Sequence, residues 1–189
     1  MSSREQRRTD GQNFTSRFEP EALRFVDECT NRLIKLTRAS KKQDMELAVD
    51  FILEDPRRLF SPGLVTIGSR VRREYAFSSW PREFTFRVSR FPGVEAELDK
   101  VILGTPRLFY YGFASTEESR IIGASLLDLN VYRQTCTTRT IAQKLGAFHE
   151  NKDEDDSDFY SFNLDDFPQE LVIGQFGIPA ATQGRLSFS

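Results

Sequence analysis

The chain of 189 residues is long enough for one domain with a substantial core, and 39% of its residues are hydrophobic and 12% aromatic. This composition argues against wholesale disorder. No apolar run approaches the roughly 18 residues needed to cross a bilayer, and the polar start MSSREQRRTDGQNF contains no apolar segment typical of a signal peptide. Two widely spaced cysteines and one histidine argue against a metal site built on several such ligands. We therefore expect a cytoplasmic protein with reduced thiols and no membrane association.

The net charge of -2 hides an uneven distribution along the chain. Residues 1–43 carry ten Lys or Arg against six Asp or Glu, whereas residues 150–170 carry nine Asp or Glu against one Lys. A basic front and an acidic back are compatible with nucleic-acid contact at one end. Such charge runs are more commonly solvated faces together with a disordered acidic loop, here near 150–158, and both interpretations stay open.

The first part of the chain is expected to hold an arm and then a helix. Residues 1–18 are polar and lack periodicity, so we expect a flexible arm that precedes a single domain over residues 19–189. After Pro20, apolar residues recur at helical spacing and predict a first helix over residues 20–38.

The segment MELAVDFILEDP that follows is open to two interpretations. Its apolar spacing predicts a second helix over residues 45–53, although residues 48–53 also fit a short buried strand. The choice decides the setting of Asp50. On a helix Asp50 would lie on the solvated side, whereas in a strand it would interrupt an apolar run.

Two alternating segments, LVTIGSRVRR and EFTFRVSR, predict β-strands between Leu64 and Arg90. If they pair as an antiparallel hairpin with both apolar faces on the core, Arg70, Arg72 and Arg87 gather on one polar surface. Three like charges on neighbouring strands repel one another unless carboxylates or an anionic ligand lie among them. This arginine surface is the leading indication of function in the sequence.

The connection between the two strands, about residues 74–82, is rich in aromatic residues, namely Tyr75, Phe77 and Trp80. Aromatic rings beside arginines can stack on nucleic-acid bases. They can equally cover the end of the core, which is the commoner role because exposed tryptophan is infrequent in soluble domains.

The later segments predict a layered fold. A short helix is expected from Val94 to Gly104, with Glu97 and Lys100 three residues apart on its flank. Nearly continuous apolar runs at 107–115 and 120–129 predict central strands that are covered on both faces. A helix at LNVYRQT, a weaker amphipathic segment at TIAQKLGAF, and short edge strands at DFYSF and ELVIGQF follow. This order predicts an α/β fold with a mixed β-sheet flanked by helices.

Several site signatures are absent from the sequence, including GxxxxGK[ST], GxGxxG, HExxH, CxxC and GxSxG. Their absence argues against kinases, P-loop ATPases, zinc hydrolases and dinucleotide-dependent oxidoreductases. The acids, arginines and lysine around the predicted hairpin suit phosphate chemistry instead. Arginine binds phosphate through two parallel hydrogen bonds, and carboxylates can hold Mg²⁺.

The order of Asp50, the strands with SRVR and FTFRVSR, GVEAELDK, LFYYGFAS and IIGASLLDLNVYR resembles the phage-associated branch of the PD-(D/E)XK, or restriction-endonuclease-like, nucleases. The resemblance covers about residues 20–135. It implies a restriction-endonuclease-like core, Mg²⁺-dependent cleavage of the DNA backbone, and Asp50 as the upstream metal ligand. Where those nucleases carry Glu-x-Lys, this chain reads Ser69-Arg70-Val71-Arg72, and serine and arginine cannot hold Mg²⁺.

Glu97 and Lys100 are the replacements that the resemblance suggests for the missing pair. Asp50 and Glu97 would then bind Mg²⁺, and Lys100 would stabilise the charge of the transition state. In this assignment the three arginines of the predicted hairpin hold the nucleic-acid backbone.

Three hypotheses for function are open. The first is this metal-dependent endonuclease or exonuclease, and the second is a catalytically inactive protein of the same fold that binds nucleic acid or a protein partner. The third is a structural module in which the arginines pair with internal carboxylates, for which the candidates are Glu74, Glu83, Glu95 and Asp99.

Overall fold

The computed structural model describes residues 3–30, 35–40, 49–55, 63–88, 96–150 and 158–180. The helices in these ranges are α1 (Ser3–Cys29), α2 (Glu74–Ser79), α3 (Glu97–Leu103), α4 (Leu129–Thr135) and α5 (Arg139–Leu145). The strands are β1 (Lys35–Arg38), β2 (Phe51–Asp55), β3 (Gly63–Arg73), β4 (Glu83–Val88), β5 (Leu108–Ser115), β6 (Arg120–Asp128), β7 (Ala147–His149), β8 (Asp158–Asn163) and β9 (Val172–Phe176). Two short 3-10 helices span Leu164–Asp166 and Gln169–Leu171. None of the helices described has the length and apolar character that a membrane span requires.

A six-stranded mixed sheet in the order β1-β2-β3-β5-β6-β9 forms the centre of the fold. Its strand pairs are antiparallel except for β3 and β5, which run parallel. The chain reaches β5 from β3 through a crossover that contains α2, β4 and α3, because parallel neighbours cannot be joined by a tight turn. The predicted α/β class, with a mixed sheet flanked by helices, is therefore confirmed.

Helix α1 covers one face of this sheet. Phe18, Ala22 and Val26 recur every four residues and are at most 3% exposed, so they form the stripe that packs on β2, β3, β5 and β6. Residues 3–18, which the sequence analysis assigns to an arm, form the first part of α1 in the structure. At the arm's end, Phe14 packs edge-on against Phe18 at 5.1 Å between ring centroids.

The first helix ends earlier than predicted. It stops at Cys29, and the predicted helical residues 35–38 instead form β1, which pairs with β2. The second helix, predicted over 45–53, is also wrong for residues 49–53. Its strand alternative over 48–53 is confirmed for residues 51–53, because residues 51–55 form β2. Both segments join the sheet, and this long-range pairing outweighs their helical spacing. Residues 31–34 and 41–48 lie outside the described residues.

A second, three-stranded sheet in the order β4-β8-β7 lies over the other face of the central sheet. Between the sheets lies a core of aromatic rings. Phe86 packs on Phe109 of β5 at 5.0 Å and on Tyr132 of α4 at 5.3 Å, and Phe162 packs on Phe84 at 5.5 Å between ring centroids. These rings are at most 1% exposed, so the fold has two cores separated by one sheet.

The predicted β3–β4 hairpin is wrong. Strand β3 pairs with β2 and β5, whereas β4 pairs with β8 in the second sheet. The connection is not a turn but the helix α2, whose Phe77 packs against Phe113 of β5 at 5.3 Å and carries the chain into the second layer. The alternation in each strand specifies which face is buried, but it does not specify the partner strand.

The later elements follow the sequence predictions closely. Strand β5 is buried along its whole length, as expected of a central strand covered on both faces, and α3 ends at Gly104 with a positive φ of 121°. The edge prediction for ELVIGQF is confirmed by β9, the last strand of its sheet. The same prediction for DFYSF is wrong, because β8 is the middle strand of the second sheet and pairs on both sides. Residues 151–157 of the acidic loop lie outside the described residues.

Candidate nucleic-acid interface

Strand β3 directs its side chains alternately to the two faces of the central sheet. Ser69 and Val71 line a cleft under α1, whereas Arg70 contacts Thr85 of β4 and Arg72 contacts Phe159 of β8. The period of two in the sequence therefore predicts correctly that Arg70 and Arg72 share a face. The second sheet packs over that face, so the face is not an open surface.

Arg70 is held inside the molecule by an ion pair with Glu97 of α3. Its Nη1 also donates to the carbonyl and hydroxyl oxygens of Thr85, at 3.1 and 3.0 Å. The side chains of Arg70 and Glu97 are only 10% and 15% exposed. The Glu97 carboxylate accepts a further hydrogen bond, at 2.9 Å, from the backbone N–H of Arg87. One carboxylate thus joins β3, β4 and α3, and both charges are satisfied within the protein.

Tyr111 of β5 completes this buried cluster. Its hydroxyl lies 3.4 Å from the hydroxyl of Thr85, and both side chains are at most 5% exposed. Burial raises the pKa of Tyr111, although the nearby guanidinium groups of Arg72 and Arg70 oppose that rise. The phenol is therefore a neutral hydrogen-bonding group at pH 7, and the Arg70–Glu97 pair carries the charge of the cluster.

Asp50 lies on the other side of the central sheet, at a bend before β2. Its Oδ2 accepts a hydrogen bond from the backbone N–H of Ser69 at 2.6 Å. It borders a small cleft of about 50 Å³ that α1 closes with Ser16 and Glu19, and Arg38 also lines this cleft. The six-stranded sheet therefore separates Asp50 from Glu97. Lys100 lies on the same helix as Glu97, on the side of the sheet opposite Asp50.

The predicted Mg²⁺ site does not fit this arrangement. Mg²⁺ binds through near-octahedral oxygen ligands, so its protein carboxylates must converge on one point. Asp50 and Glu97 lie on opposite faces, and Ser69 and Val71 stand on β3 beside Asp50. Within the part of the chain that the structure describes, no group of three or more His, Cys, Asp or Glu side chains could hold a metal ion.

A row of side chains crosses the second sheet near the end of the β7–β8 hairpin. The strand registers place Arg87 of β4, Phe159 of β8 and His149 of β7 side by side. The imidazole of His149 stacks on the Phe159 ring at 4.8 Å and 13°, and the guanidinium carbon of Arg72 lies 5.4 Å from the same ring centroid. We call Arg72, Arg87, His149 and Phe159 the Phe159 platform.

The Phe159 platform is held in place and reaches the surface. His149 Nε2 lies 2.8 Å from the hydroxyl of Ser161, which fixes the imidazole against the ring of Phe159. Arg87 is exposed, and the other three side chains are half-buried. Of the three predicted arginines, the structure therefore brings Arg72 and Arg87 to one site, whereas Arg70 is buried with Glu97.

His149 and Phe159 are not among the candidate site residues that the sequence predicts. The alternating segments around the acidic run, AFH before it and DFYSF after it, are the signal that two strands of a hairpin flank this run. The sequence does not show that β4 pairs with β8, and without that pairing Arg87 has no connection with Phe159.

The aromatic connection between β3 and β4 divides into two sets. Phe77 packs on the core, as in the commoner of the two interpretations, whereas Tyr75 is 62% and Trp80 is 49% exposed. The exposed rings lie on and after α2 rather than in a hairpin loop.

Arg107, which directly precedes β5, and Arg133 of α4 have structural contacts. Arg107 donates to Asp128 at 2.8 Å, and Asp128 also caps α4 by accepting the N–H of Asn130. Arg133 donates to the carbonyl oxygens of Val101 and Pro106, each at 3.1 Å. Burial lowers the pKa of both guanidinium groups, yet they remain charged at pH 7.

Comparisons of the chain with protein-family models, with curated proteins and with solved structures found no match.

Proposed function

We propose that the chain binds nucleic acid at the Phe159 platform and does not cleave it. The observation that carries this proposal is the clustering of two arginines and an imidazole around one partly exposed aromatic ring. Cationic groups beside aromatic rings are the combination that recognises a phosphate backbone and its bases.

Arg72 is the cation that the platform offers to an anionic ligand, next to the acids Glu150 and Asp158 that flank His149 and Phe159 in the chain. Among the described residues no carboxylate forms an ion pair with Arg72, whose guanidinium lies over Phe159 instead. This distinguishes Arg72 from Arg70, whose charge is neutralised by Glu97. A phosphate at Arg72 would supply the anionic partner that the fold supplies to Arg70.

The same geometry disfavours cleavage. The two carboxylates assigned to Mg²⁺, Asp50 and Glu97, lie on opposite faces of the central sheet, and Glu97 is engaged by Arg70. The positions on β3 that would carry Glu-x-Lys hold Ser69 and Val71 on the side of Asp50. No hydrolytic step is therefore assigned to these residues.

The order of the elements is in keeping with the resemblance to PD-(D/E)XK nucleases. Asp50 precedes β2, β3 ends in the charged pair Arg72-Arg73, and the YYGFA strand β5 leads through β6 to Asp128 and α4. Membership of that superfamily and a restriction-endonuclease-like core stay predictions. A member that has lost its metal ligands and retained nucleic-acid contacts would account for both the order and the missing carboxylates.

The test is a titration of the purified protein with labelled single-stranded and duplex DNA across a range of salt concentrations. We expect the logarithm of the affinity to fall linearly with the logarithm of the salt concentration, because bound phosphates release counterions. Arg72→Gln should weaken binding and reduce the magnitude of the salt slope by about one. The matched control is Arg120→Gln, since Arg120 is an exposed arginine paired with Glu118 in the central sheet, and it should leave both values unchanged.

Two results would overturn the proposal. Binding that is absent, or that does not respond to salt, would remove the nucleic acid as ligand and leave a protein partner as the alternative. Cleavage of plasmid or single-stranded DNA in Mg²⁺ or Mn²⁺ would restore the nuclease hypothesis, provided that the Asp50→Ala variant loses it.

A further inference from the structure

Strand β7 is an open edge of the second sheet. It is the last strand in the order β4-β8-β7, and β8 is its strand partner among the described elements. On its outer side the backbone N–H and C=O groups of β7 therefore face no described strand. An exposed row of such groups is a template for pairing with a strand of another chain.

An apolar surface lies beside this edge, and we call Ile141, Leu145 and Phe148 the Phe148 surface. Phe148 is 53% exposed, Ile141 40% and Leu145 36%. Ile141 and Leu145 are one helical turn apart on α5, so they share a side of that helix. Helix α5 leads into β7 and packs against it, which brings the helical residues beside the Phe148 ring.

Helix α5 and the Phe148 ring lie on the same face of the second sheet. Phe148 is opposite Tyr160 in the β7–β8 register, with ring centroids 5.3 Å apart, and Phe162 is two residues further along β8. Side chains two residues apart on a strand share a face, so the three rings point the same way. Gly146 joins α5 to β7 against this face, because a Cβ at this glycine would lie 2.7 Å from the Phe162 ring.

Charges of opposite sign lie at the two ends of the Phe148 surface. Lys144 of α5 is exposed at one end, next to Leu145. Glu150 is exposed at the other end, and because it follows Phe148 by two residues it lies on the same side as that ring. Neither charge has an ion-pair partner within the described ranges of the chain. The order along the surface is therefore cation, apolar side chains, anion.

We propose that this edge is an interface between two copies of the chain, in which β7 pairs with β7 in antiparallel orientation about a twofold axis at Phe148. A twofold contact requires a surface that is complementary to itself. Antiparallel pairing brings the two Phe148 rings together at the axis and places the Lys144 end of one copy against the Glu150 end of the other. The contact joins two three-stranded sheets into one sheet of six strands.

Charge also distinguishes β7 from β9, an edge strand of the central sheet. Phe176 of β9 is 40% exposed, but its ring already packs on Phe25 of α1 at 5.1 Å between centroids. Residues 172–180 contain no charged residue, so a twofold pair of β9 strands would have no complementary charges at its ends. The second copy is therefore expected at β7.

This contact goes beyond nucleic-acid binding and does not depend on it. His149 and Phe159 are neighbours of Phe148 and Tyr160 along their strands, so they project from the opposite face of the sheet. The Phe159 platform thus lies on one face, and the Phe148 surface lies on the other. Each can be altered without the other.

The first experiment is sedimentation equilibrium from about 1 μM to about 500 μM protein, the range in which small interfaces dissociate. We expect the molecular mass to rise with concentration from 21.8 kDa towards twice that value. Phe148→Asp should abolish the rise, because it places two carboxylates at the twofold axis. Phe176→Asp is the matched control, since it alters an exposed phenylalanine of the other sheet, and it should leave the rise unchanged. Thermal unfolding verifies that both variants are folded.

A charge exchange tests the antiparallel orientation with variants of exposed side chains. Lys144→Glu or Glu150→Lys alone should raise the dissociation constant about tenfold, because the axis repeats the pair and turns two attractions into repulsions. The double variant exchanges both charges and should return the dissociation constant to within about threefold of the unaltered value. Glu170→Lys, at an exposed glutamate that precedes β9, is the control and should change nothing.

Three outcomes would contradict the inference. The mass of one chain at every concentration would exclude a second copy and leave the Phe148 surface to a different protein. Dissociation by Phe176→Asp but not by Phe148→Asp would move the contact to β9. Single charge variants that associate like the unaltered protein, or a double variant that is not restored, would exclude the antiparallel β7 pair. None of these measurements uses nucleic acid, so their failure leaves the proposed function standing.

Discussion

Charged side chains have different surroundings on the two faces of the central sheet. Under α1 the core is apolar, and the polar residues Asp50 and Glu19 stand at a small cleft at its margin. Between the two sheets an ion pair, Arg70–Glu97, is enclosed together with Thr85 and Tyr111. A single helix leaves an open margin where a charge can reach water, whereas a second sheet with α3 closes over the charge and requires a partner for it.

The same contrast separates two arginines that lie two residues apart on β3. Arg70 lies beneath β4 and pairs with Glu97, whereas Arg72 lies over Phe159 at the end of the β7–β8 hairpin. Their residue type, strand and face are identical. Coverage by the second sheet, rather than the sequence around each residue, pairs one with a buried carboxylate and leaves the other against an aromatic ring.

The largest expected effect comes from breaking the enclosed pair. Glu97→Ala should lower the free energy of unfolding by about 3–5 kcal/mol, because it leaves the guanidinium of Arg70 buried without a counter-charge. It also removes the acceptor of the Arg87 backbone N–H. Urea denaturation of the two proteins measures the difference. Glu118→Ala, which breaks the exposed pair with Arg120, is the control and should leave the stability nearly unchanged.

A double variant sharpens this test. Arg70→Met combined with Glu97→Leu removes both charges and should be more stable than Glu97→Ala alone, since neither partner is left unpaired. A Glu97→Ala protein of unchanged stability would show that Glu97 is not a structural partner of Arg70. The catalytic role predicted from the sequence would then regain support.

The sequence predicts those parts of the fold that depend on local patterns. The unbroken apolar run of β5 and the spacing that ends α3 at Gly104 are sufficient to place these elements correctly. The prediction fails where a segment is assigned by a distant partner. Residues 35–38 have helical spacing but pair with β2. Strand β4 has the alternation of a hairpin strand but pairs with β8, a distant strand that begins at Asp158.

The candidate site follows the same rule. Alternation places Arg70 and Arg72 on one face, and this much is read from β3 alone. The partners of the two residues come from α3, β7 and β8, and no local pattern links those elements to β3. For this reason Glu97 is predicted as a metal ligand although it is an ion-pair partner, and Phe159 is missed.

A smaller effect is expected on the α1 face. Asp50→Ala leaves the backbone N–H of Ser69 without its acceptor and should cost about 1–3 kcal/mol, whereas Asp50→Asn retains an oxygen acceptor and should cost less. Urea denaturation again measures both. Adding Mg²⁺ at constant ionic strength should not raise the thermal midpoint of the unaltered protein, because a ligand stabilises only the state that binds it. A midpoint that rises with Mg²⁺ in the unaltered protein but not in Asp50→Asn would identify a metal site at this cleft.

The smallest expected effect is a dependence on alkaline pH, and it also belongs to the α1 face. Burial, with a further contribution from Glu28, raises the pKa of the Cys29 thiol to about 11 from the usual 9.0. An unfolded chain would lose this proton near its usual pKa while the folded chain retains it, so stability should decrease as the pH rises between those two values. Because the side chain is only half-buried, we expect a loss of about 1 kcal/mol or less. The difference between the urea midpoints at about pH 8 and at about pH 10 should therefore be smaller in Cys29→Ser than in the unaltered protein. Cys136 and the buried tyrosines contribute equally in both proteins. If the urea midpoint changes equally with pH in the two proteins, water reaches the Cys29 thiol. The α1 face would then enclose its ionisable groups less completely than the two sheets enclose Arg70.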